Sequence, residues 1–144
     1  MTIFRLTVLL TLLFCQQNVF AQAGFFISYK TQDQVDDSNF IDLGTPEQNN
    51  AVVLEGNPII TGRFDYINAN IVAGLFKVTK TKAIVTYSAD EHAQILRGIV
   101  KMTVVDTGVS KIYGPGDAYF VTKGTKVVWD VYTPFLLKSF VNIF

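Results

Sequence analysis

The sequence predicts an all-β domain, built as a closed barrel or a double-layered antiparallel sheet, and three observations carry that expectation. Short runs rich in Val, Ile, Phe and Tyr are separated by Gly, Pro, Asn or Asp, at spacings of about 8–12 residues. No stretch sustains the apolar repeat of an amphipathic helix, and β-branched residues, which suit pleated surfaces, crowd the runs. Nothing between the runs is long enough for the crossover helices that a parallel sheet requires. With 144 residues, 49% of them hydrophobic, the chain can build one core.

The first element stands apart. Arg5 precedes an apolar run over residues 6–14, followed by polar Gln16, Gln17 and Asn18 and then Val19, Phe20 and Ala21. This is the layout of a secretory signal peptide, with small residues at Val19 and Ala21 placing cleavage before Gln22. The run is about half of the roughly 20 apolar residues a membrane span needs, so no membrane anchor is expected after cleavage. Phe14 is too bulky for lipoprotein processing at Cys15. Residues 1–21 are therefore read as a signal peptide and the mature chain as exported, periplasmic or secreted.

Residues 22–50 are polar, with Asp33, Asp36 and Asp37 and the turn-formers Gly44, Pro46, Asn49 and Asn50, broken by Phe25, Phe26 and Phe40. They read as an N-terminal arm that packs at a few aromatic points. From residue 51 to 144 the strand pattern takes over. Strands are expected at 52–54, 58–61 and 71–78. Further strands follow at 83–87, 93–96 and 99–105, the last ended by Asp106-Thr107-Gly108. Gly114-Pro115-Gly116-Asp117 makes a tight reversal between 110–113 and 118–121. Thr122-Lys123-Gly124-Thr125 leads into 126–131, and Pro134 precedes the last strand at 135–143.

Charge and cysteine content narrow the function. Twelve basic and twelve acidic side chains, scattered along the chain, give no basic patch, so no nucleic-acid partner is expected. The one cysteine lies in the signal segment, so the mature domain holds no disulfide, thiol nucleophile or thiolate metal site. His92 is the only histidine, and on a regular strand it points away from its neighbour Glu91. No Ser-His-Asp relay can be assembled without it.

The stretch from Gly114 to Thr125 resembles the second motif of the cupin superfamily: glycine, five residues, proline, any residue, glycine. Gly116 and Gly124 fall in register and Thr122 replaces the proline. Glu91, six residues and Gly98 look like the end of the first cupin motif. The order of Arg63, Gly74-Leu75-Phe76, Asp90-Glu91, Leu96-Arg97-Gly98, Pro115-Gly116-Asp117, Gly124-Thr125 with Trp129, and Lys138 with Phe140 is similar to the small single-domain branch described by the cupin domains of ureidoglycine aminohydrolase and of the ethanolamine-utilisation cupin. The resemblance implies a cupin-type jelly-roll β-barrel, an antiparallel double-stranded β-helix.

It also implies where a metal would sit. Cupin metal ligands, three histidines and the first-motif glutamate, correspond here to Val85, Tyr87, Val127 and Glu91. One carboxylate cannot hold a transition ion against water, so no metal and no other cofactor is expected. By the two-residue strand period, Val85 with Tyr87, Val127 with Trp129 and Val131, and Leu136 with Lys138 and Phe140 each share a face. If those faces point inward, Tyr87, Glu91, Trp129 and Lys138 form a ligand-binding set. Trp129 would be a stacking wall and Lys138 an anchor for a carboxylate or phosphate. A Glu91–Lys138 ion pair inside the barrel is a further expectation.

Three functions follow for comparison with the structure. The first is a metal-free exported cupin binding a small polar organic ligand. The second is an aminohydrolase- or isomerase-type cupin enzyme with Glu91 as catalytic acid or base, partnered by Tyr87 or Lys138. The third is a non-catalytic domain that forms a homodimer through Phe25, Phe26, Phe40 and the strand at 135–144.

Overall fold

The computed structural model describes residues 35–144. Residues 1–21, read above as a signal peptide, and Phe25 and Phe26 lie outside the described residues. The ten expected strands are all present, with one more in the segment assigned to the arm. They are β1 (Ile41–Asp42), β2 (Ala51–Glu55), β3 (Ile60–Ile67), β4 (Ile71–Thr79), β5 (Lys82–Thr86), β6 (Asp90–Arg97), β7 (Val100–Val104), β8 (Ser110–Tyr113), β9 (Ala118–Val121), β10 (Lys126–Val131) and β11 (Phe135–Ile143). A single 3₁₀ turn, Glu47–Asn49, precedes β2.

Two antiparallel sheets face each other. One has the order β1-β3-β4-β11-β6-β9 and the other β2-β5-β10-β7-β8. Only the β3–β4 and β7–β8 pairs are hairpins within a sheet; otherwise each successive strand belongs to the opposite sheet, which is the winding of a jelly roll. Asn68 fixes the first hairpin, its Oδ1 accepting the amides of Asn70 and Ile71 at 2.8 and 2.7 Å. The Gly114–Asp117 turn closes where expected, Asp117 Oδ2 accepting the Gly114 amide at 2.8 Å.

The alternation that predicted strands also sorts the core. Ile60, Val78, Ile95, Val100, Val127, Val131 and Leu136 point between the sheets and pack into one cluster with the buried aromatics. At about 1.5–3 kcal/mol for each fully buried aliphatic side chain, this cluster carries the stability that disulfides do not supply. A second, smaller cluster lies on the outer face of the six-stranded sheet, where Leu75, Leu96 and Leu137 are covered by Val35, Phe40 and Phe135.

That second cluster changes the reading of the arm. Phe40, assigned to a contact between copies, packs on its own chain. The strand at 135–143 is not an edge either: β11 is paired on both sides, with β4 and β6. Both of its hydrogen-bonding rows are taken, so it offers no edge to a second copy. Part of the segment read as an arm belongs to the barrel, since β1 pairs with β3 and residues 43–50 cross from the edge of one sheet to the edge of the other. The Leu43 amide on Ile60 O at 3.0 Å and the Thr86 amide on Asn50 O at 2.9 Å hold the two ends of this crossing.

Candidate functional site

The inward faces of β4, β11, β6 and β9, which are successive neighbours, bring Phe76, Lys138 with Phe140, Glu91 and Tyr119 together. Register explains the meeting. Lys138 is opposite Phe76 on β4, and Phe140 and Tyr119 both oppose Ala93 on β6, whose small side chain leaves the space between them. Trp129 reaches in from β10 on the facing sheet. Tyr87 follows β5 and is pinned through its backbone, its amide donating to Thr125 O at 3.0 Å and its carbonyl accepting from Gly124 at 2.8 Å. The second cupin-like motif thus holds Tyr87 through its Gly124-Thr125 end and itself supplies Tyr119 to the site.

At the centre is a buried ion pair. Lys138 Nζ donates to Glu91 Oε1 at 2.5 Å and to the Tyr119 hydroxyl at 3.1 Å. Tyr119 in turn donates to the same Glu91 oxygen at 2.9 Å. Glu91 and Lys138 are 6% and 4% exposed, so both charges are withdrawn from water and each relies on the other. Four ring faces complete the enclosure: Nζ lies 4.7 Å from the Trp129 centroid, 5.2 Å from Phe76, 5.7 Å from Tyr119 and 6.0 Å from Phe140. Phe76 and Trp129 meet edge to face at 6.2 Å and 82°, closing the box across the two sheets. Trp129 Nε1 donates to the Tyr87 hydroxyl at 3.2 Å. Among the described residues no buried side-chain nitrogen or oxygen lacks a partner.

The electrostatics follow from burial. Desolvation lowers the Lys138 amine below the ordinary lysine value of 10.5, opposed by the charge and hydrogen bond of Glu91. Burial, reinforced by the Glu91 charge, pushes the Tyr87 phenol well above 10.0. Tyr119 is raised in the same direction by burial first, then by Tyr87 and Glu91. Both phenols are held in the protonated form, Tyr119 donating to Glu91 and Tyr87 accepting from Trp129.

All of these side chains except Tyr119, which stands behind the ion pair, line a cavity of about 420 Å³. The four residues singled out in the sequence, Tyr87, Glu91, Trp129 and Lys138, all line it, together with Phe64, Phe76, Phe140 and aliphatic side chains of both sheets. Leu43, Pro46, Asn49 and Asn50 of the crossing segment close its side. The structure therefore joins Glu91 to Lys138, and in doing so gives Lys138 an internal carboxylate where an anchor for an external one was expected. Glu91 is not a solvated turn residue. His92 is exposed on the outer face of β6, beside Phe120 and Val141.

Tyr119 is the functional-looking residue that sequence reasoning missed. Tyr119 and Phe120 are adjacent aromatics on a four-residue strand, and alternation alone does not say which points inward; only the pairing of Tyr119 with Ala93 settles it. Arg63 lies on the other face, paired with Asp65 at 2.7 Å.

The positions of a cupin metal do not suit an ion here. Val85 and Val127 are paired across β5 and β10, two aliphatic side chains where imidazoles would be needed. Glu91 is already neutralised by an ammonium group. Among the described residues no three His, Cys, Asp or Glu side chains gather.

Comparison with known proteins agrees with this geometry. The family described as the EutQ-like cupin domain matches residues 68–140, which carry Tyr87, Glu91, Tyr119, Trp129 and Lys138. The chain belongs to this cupin family. No curated protein sequence matches it. Among solved structures, this cupin resembles the EutQ protein of Clostridium difficile at 17% identity and a TM-score of 0.54, over 77% of this chain and 80% of the other. It also resembles a DUF861-family protein of unknown function from Pseudomonas syringae pv. tomato, at 17% identity and a TM-score of 0.61, over 72% of this chain and 44% of the other. The cupin domain of Schizosaccharomyces pombe Cnp3 aligns at 10% identity and a TM-score of 0.51, over 58% of this chain and 64% of the other. At these identities the likeness is one of fold. The family match names the EutQ side of the resemblance and not the ureidoglycine aminohydrolase side.

Proposed function

We propose that this protein is an exported single-domain cupin that works without a metal and takes a small organic ligand into its barrel, apolar in its body and polar at one end. The observation that carries this reading is the Glu91–Lys138 ion pair, backed by Tyr119, at the wall of a 420 Å³ cavity otherwise lined mainly by aromatic and aliphatic side chains. Such a volume lies within the roughly 300–1,000 Å³ of small-molecule sites, and a few convergent polar groups in an apolar pocket are what orient a ligand. Trp129, Phe64 and Phe140 supply flat walls, and the polar end of the ligand meets Tyr87 and the ion pair. Export rests on Arg5, the apolar run over 6–14 and the small residues Val19 and Ala21.

Trp129 is the only tryptophan, so its fluorescence reports on this cavity alone. A panel of small alcohols, carboxylic acids and carbonyl compounds is expected to contain members that raise Tm and shift Trp129 emission together, since a ligand that binds the native state stabilises it. Trp129→Ala removes the stabilisation while Phe120→Ala, on the outer face, retains it. Stabilisation that survives Trp129→Ala, or a panel with no response at all, places the function outside the barrel. N-terminal sequencing of the exported protein is expected to begin at Gln22.

A further inference from the structure

We propose that Lys138 is a carbonyl-capturing amine, and that the ligands this cavity selects are small aldehydes or ketones with an apolar body, held as an iminium at Lys138 Nζ. The inference rests on the reading that the cavity takes a small organic ligand, and it names the chemistry of that ligand.

The first argument is the placement of the amine. A lysine needed only for packing would be better replaced by an apolar side chain, because a buried ion pair stabilises a fold weakly compared with hydrophobic residues of similar volume. Here the pair is not sealed within protein; Glu91 and Lys138 both line the cavity. An amine in an apolar pocket is the form in which lysine acts as a nucleophile, because desolvation disfavours its ammonium. Burial lowers the Lys138 amine in that direction.

The second argument is that the neighbours match each stage. Glu91 Oε1, 2.5 Å from Nζ, accepts a proton from the ammonium and leaves a neutral amine. The amine lone pair forms a C–N bond to the carbonyl carbon as the C=O π bond breaks, and a proton passes from nitrogen to the new alkoxide oxygen, giving a carbinolamine. Tyr119, whose hydroxyl accepts from Nζ at 3.1 Å and donates to Glu91 Oε1 at 2.9 Å, holds the amine and the carboxylate in place for this exchange. Protonated Glu91 then returns its proton to the carbinolamine hydroxyl, the C–O bond breaks, and water leaves. The balance is one ammonium and one carbonyl compound giving one iminium and one water, with Glu91 back as carboxylate. No oxidant, reductant or metal is needed.

The third argument is charge. Ammonium and iminium each carry one positive charge at the same nitrogen, so Glu91 and the faces of Trp129, Phe76 and Phe140 serve the end state as they serve the starting one. The site thus needs no electrostatic rearrangement to change from free to loaded. The apolar walls take the rest of the carbonyl compound and keep bulk water from hydrolysing the iminium.

The test is reductive trapping on the full chain. Hexanal and benzaldehyde are added with sodium cyanoborohydride, and the product is read by intact mass and peptide mapping, with hexan-1-ol and benzyl alcohol as non-carbonyl counterparts in thermal shift and Trp129 fluorescence. The expected result is about one adduct per chain, mapped to Lys138 ahead of the exposed lysines and excluded by Lys138→Met. Glu91→Gln is expected to slow trapping by about a hundredfold, the contribution of a positioned proton-transfer group. Because Lys138→Met strands a buried carboxylate, Lys138→Met/Glu91→Gln is the second control, and mapping on the unaltered chain needs neither. Adducts spread over exposed lysines with Lys138 unmodified overturn the inference. If the alcohols still bind in that case, the ligand-binding reading stands alone; if neither alcohol nor aldehyde binds, both readings fall.

Discussion

Lys138 Nζ and Glu91 Oε1 lie 2.5 Å apart between the two sheets, on neighbouring strands β11 and β6, and this pair organises the interior of the barrel. Each charge was taken from water on folding, and each is tolerable because the other is present. Removing one partner is therefore expected to cost far more than removing both. Lys138→Met or Glu91→Gln alone should lower stability, by about 3–5 kcal/mol where a full charge is left unpaired, while the double variant recovers most of that loss. Urea unfolding midpoints of the four proteins give the coupling directly. Additive losses would mean that the pair is not a functional unit.

The pH dependence of stability has two components of opposite sign. Lys138 has its pKa lowered in the folded protein, so below about 10.5 the unfolded chain binds the proton more readily and stability rises with pH toward that value. Tyr87 and Tyr119 have theirs raised, so their contribution is complete below 10.0 and is lost as pH climbs through their folded values, where only the unfolded chain releases the phenolic protons. Unfolding midpoints measured from pH 7 to above pH 10 should therefore fall at the alkaline end, and Tyr87→Phe should flatten that fall. Phenolate absorbance offers a second view: these two of the chain's six tyrosines should ionise only as the protein unfolds.

Much of this fold was legible in the residues because strand alternation, Gly- and Asn-bearing turns and the absence of helical period all pointed one way. The inward parity of Val127-Trp129-Val131 and Leu136-Lys138-Phe140 carried over into the structure intact. The failures are long-range ones. That β11 sits in the middle of its sheet, and that Phe40 folds back onto Leu75 and Leu96, depends on which strands pair, and no local pattern specifies that. Tyr119 was hidden for a related reason, its inward direction being fixed by its partner Ala93 on another strand.

Two of the motif glycines, Gly98 and Gly124, are expected to behave differently. Gly98 has φ +86°, and a Cβ there would lie 2.3 Å from the Phe135 carbonyl oxygen. Gly124 has φ +84° but open space around it. Gly124→Ala should therefore cost only the left-handed backbone penalty, about 1–2 kcal/mol. Gly98→Ala must also move the start of β11 and should cost more than about 3 kcal/mol, which thermal or urea unfolding will resolve. Equal losses would show that the close approach at Phe135 relaxes freely.

Metal content tests the interior from another side. Elemental analysis of the protein, purified without chelators or a metal-binding tag, is expected to give well under one divalent ion per chain, because Val85 and Val127 offer no donor and Glu91 is held by Lys138. Near one ion per chain overturns the metal-free reading. The converse variant is more demanding. Val85→His/Val127→His restores two imidazoles on paired strands, but the Lys138 ammonium still occupies the carboxylate. Adding Lys138→Met frees it, and the triple variant should take up Zn²⁺ more tightly than the double one, measured by competition with a chromogenic chelator. Equal affinity in the two variants would mean that Glu91 is not positioned to share a metal with those strands, and that the loss of the histidines alone did not decide the chemistry of this barrel.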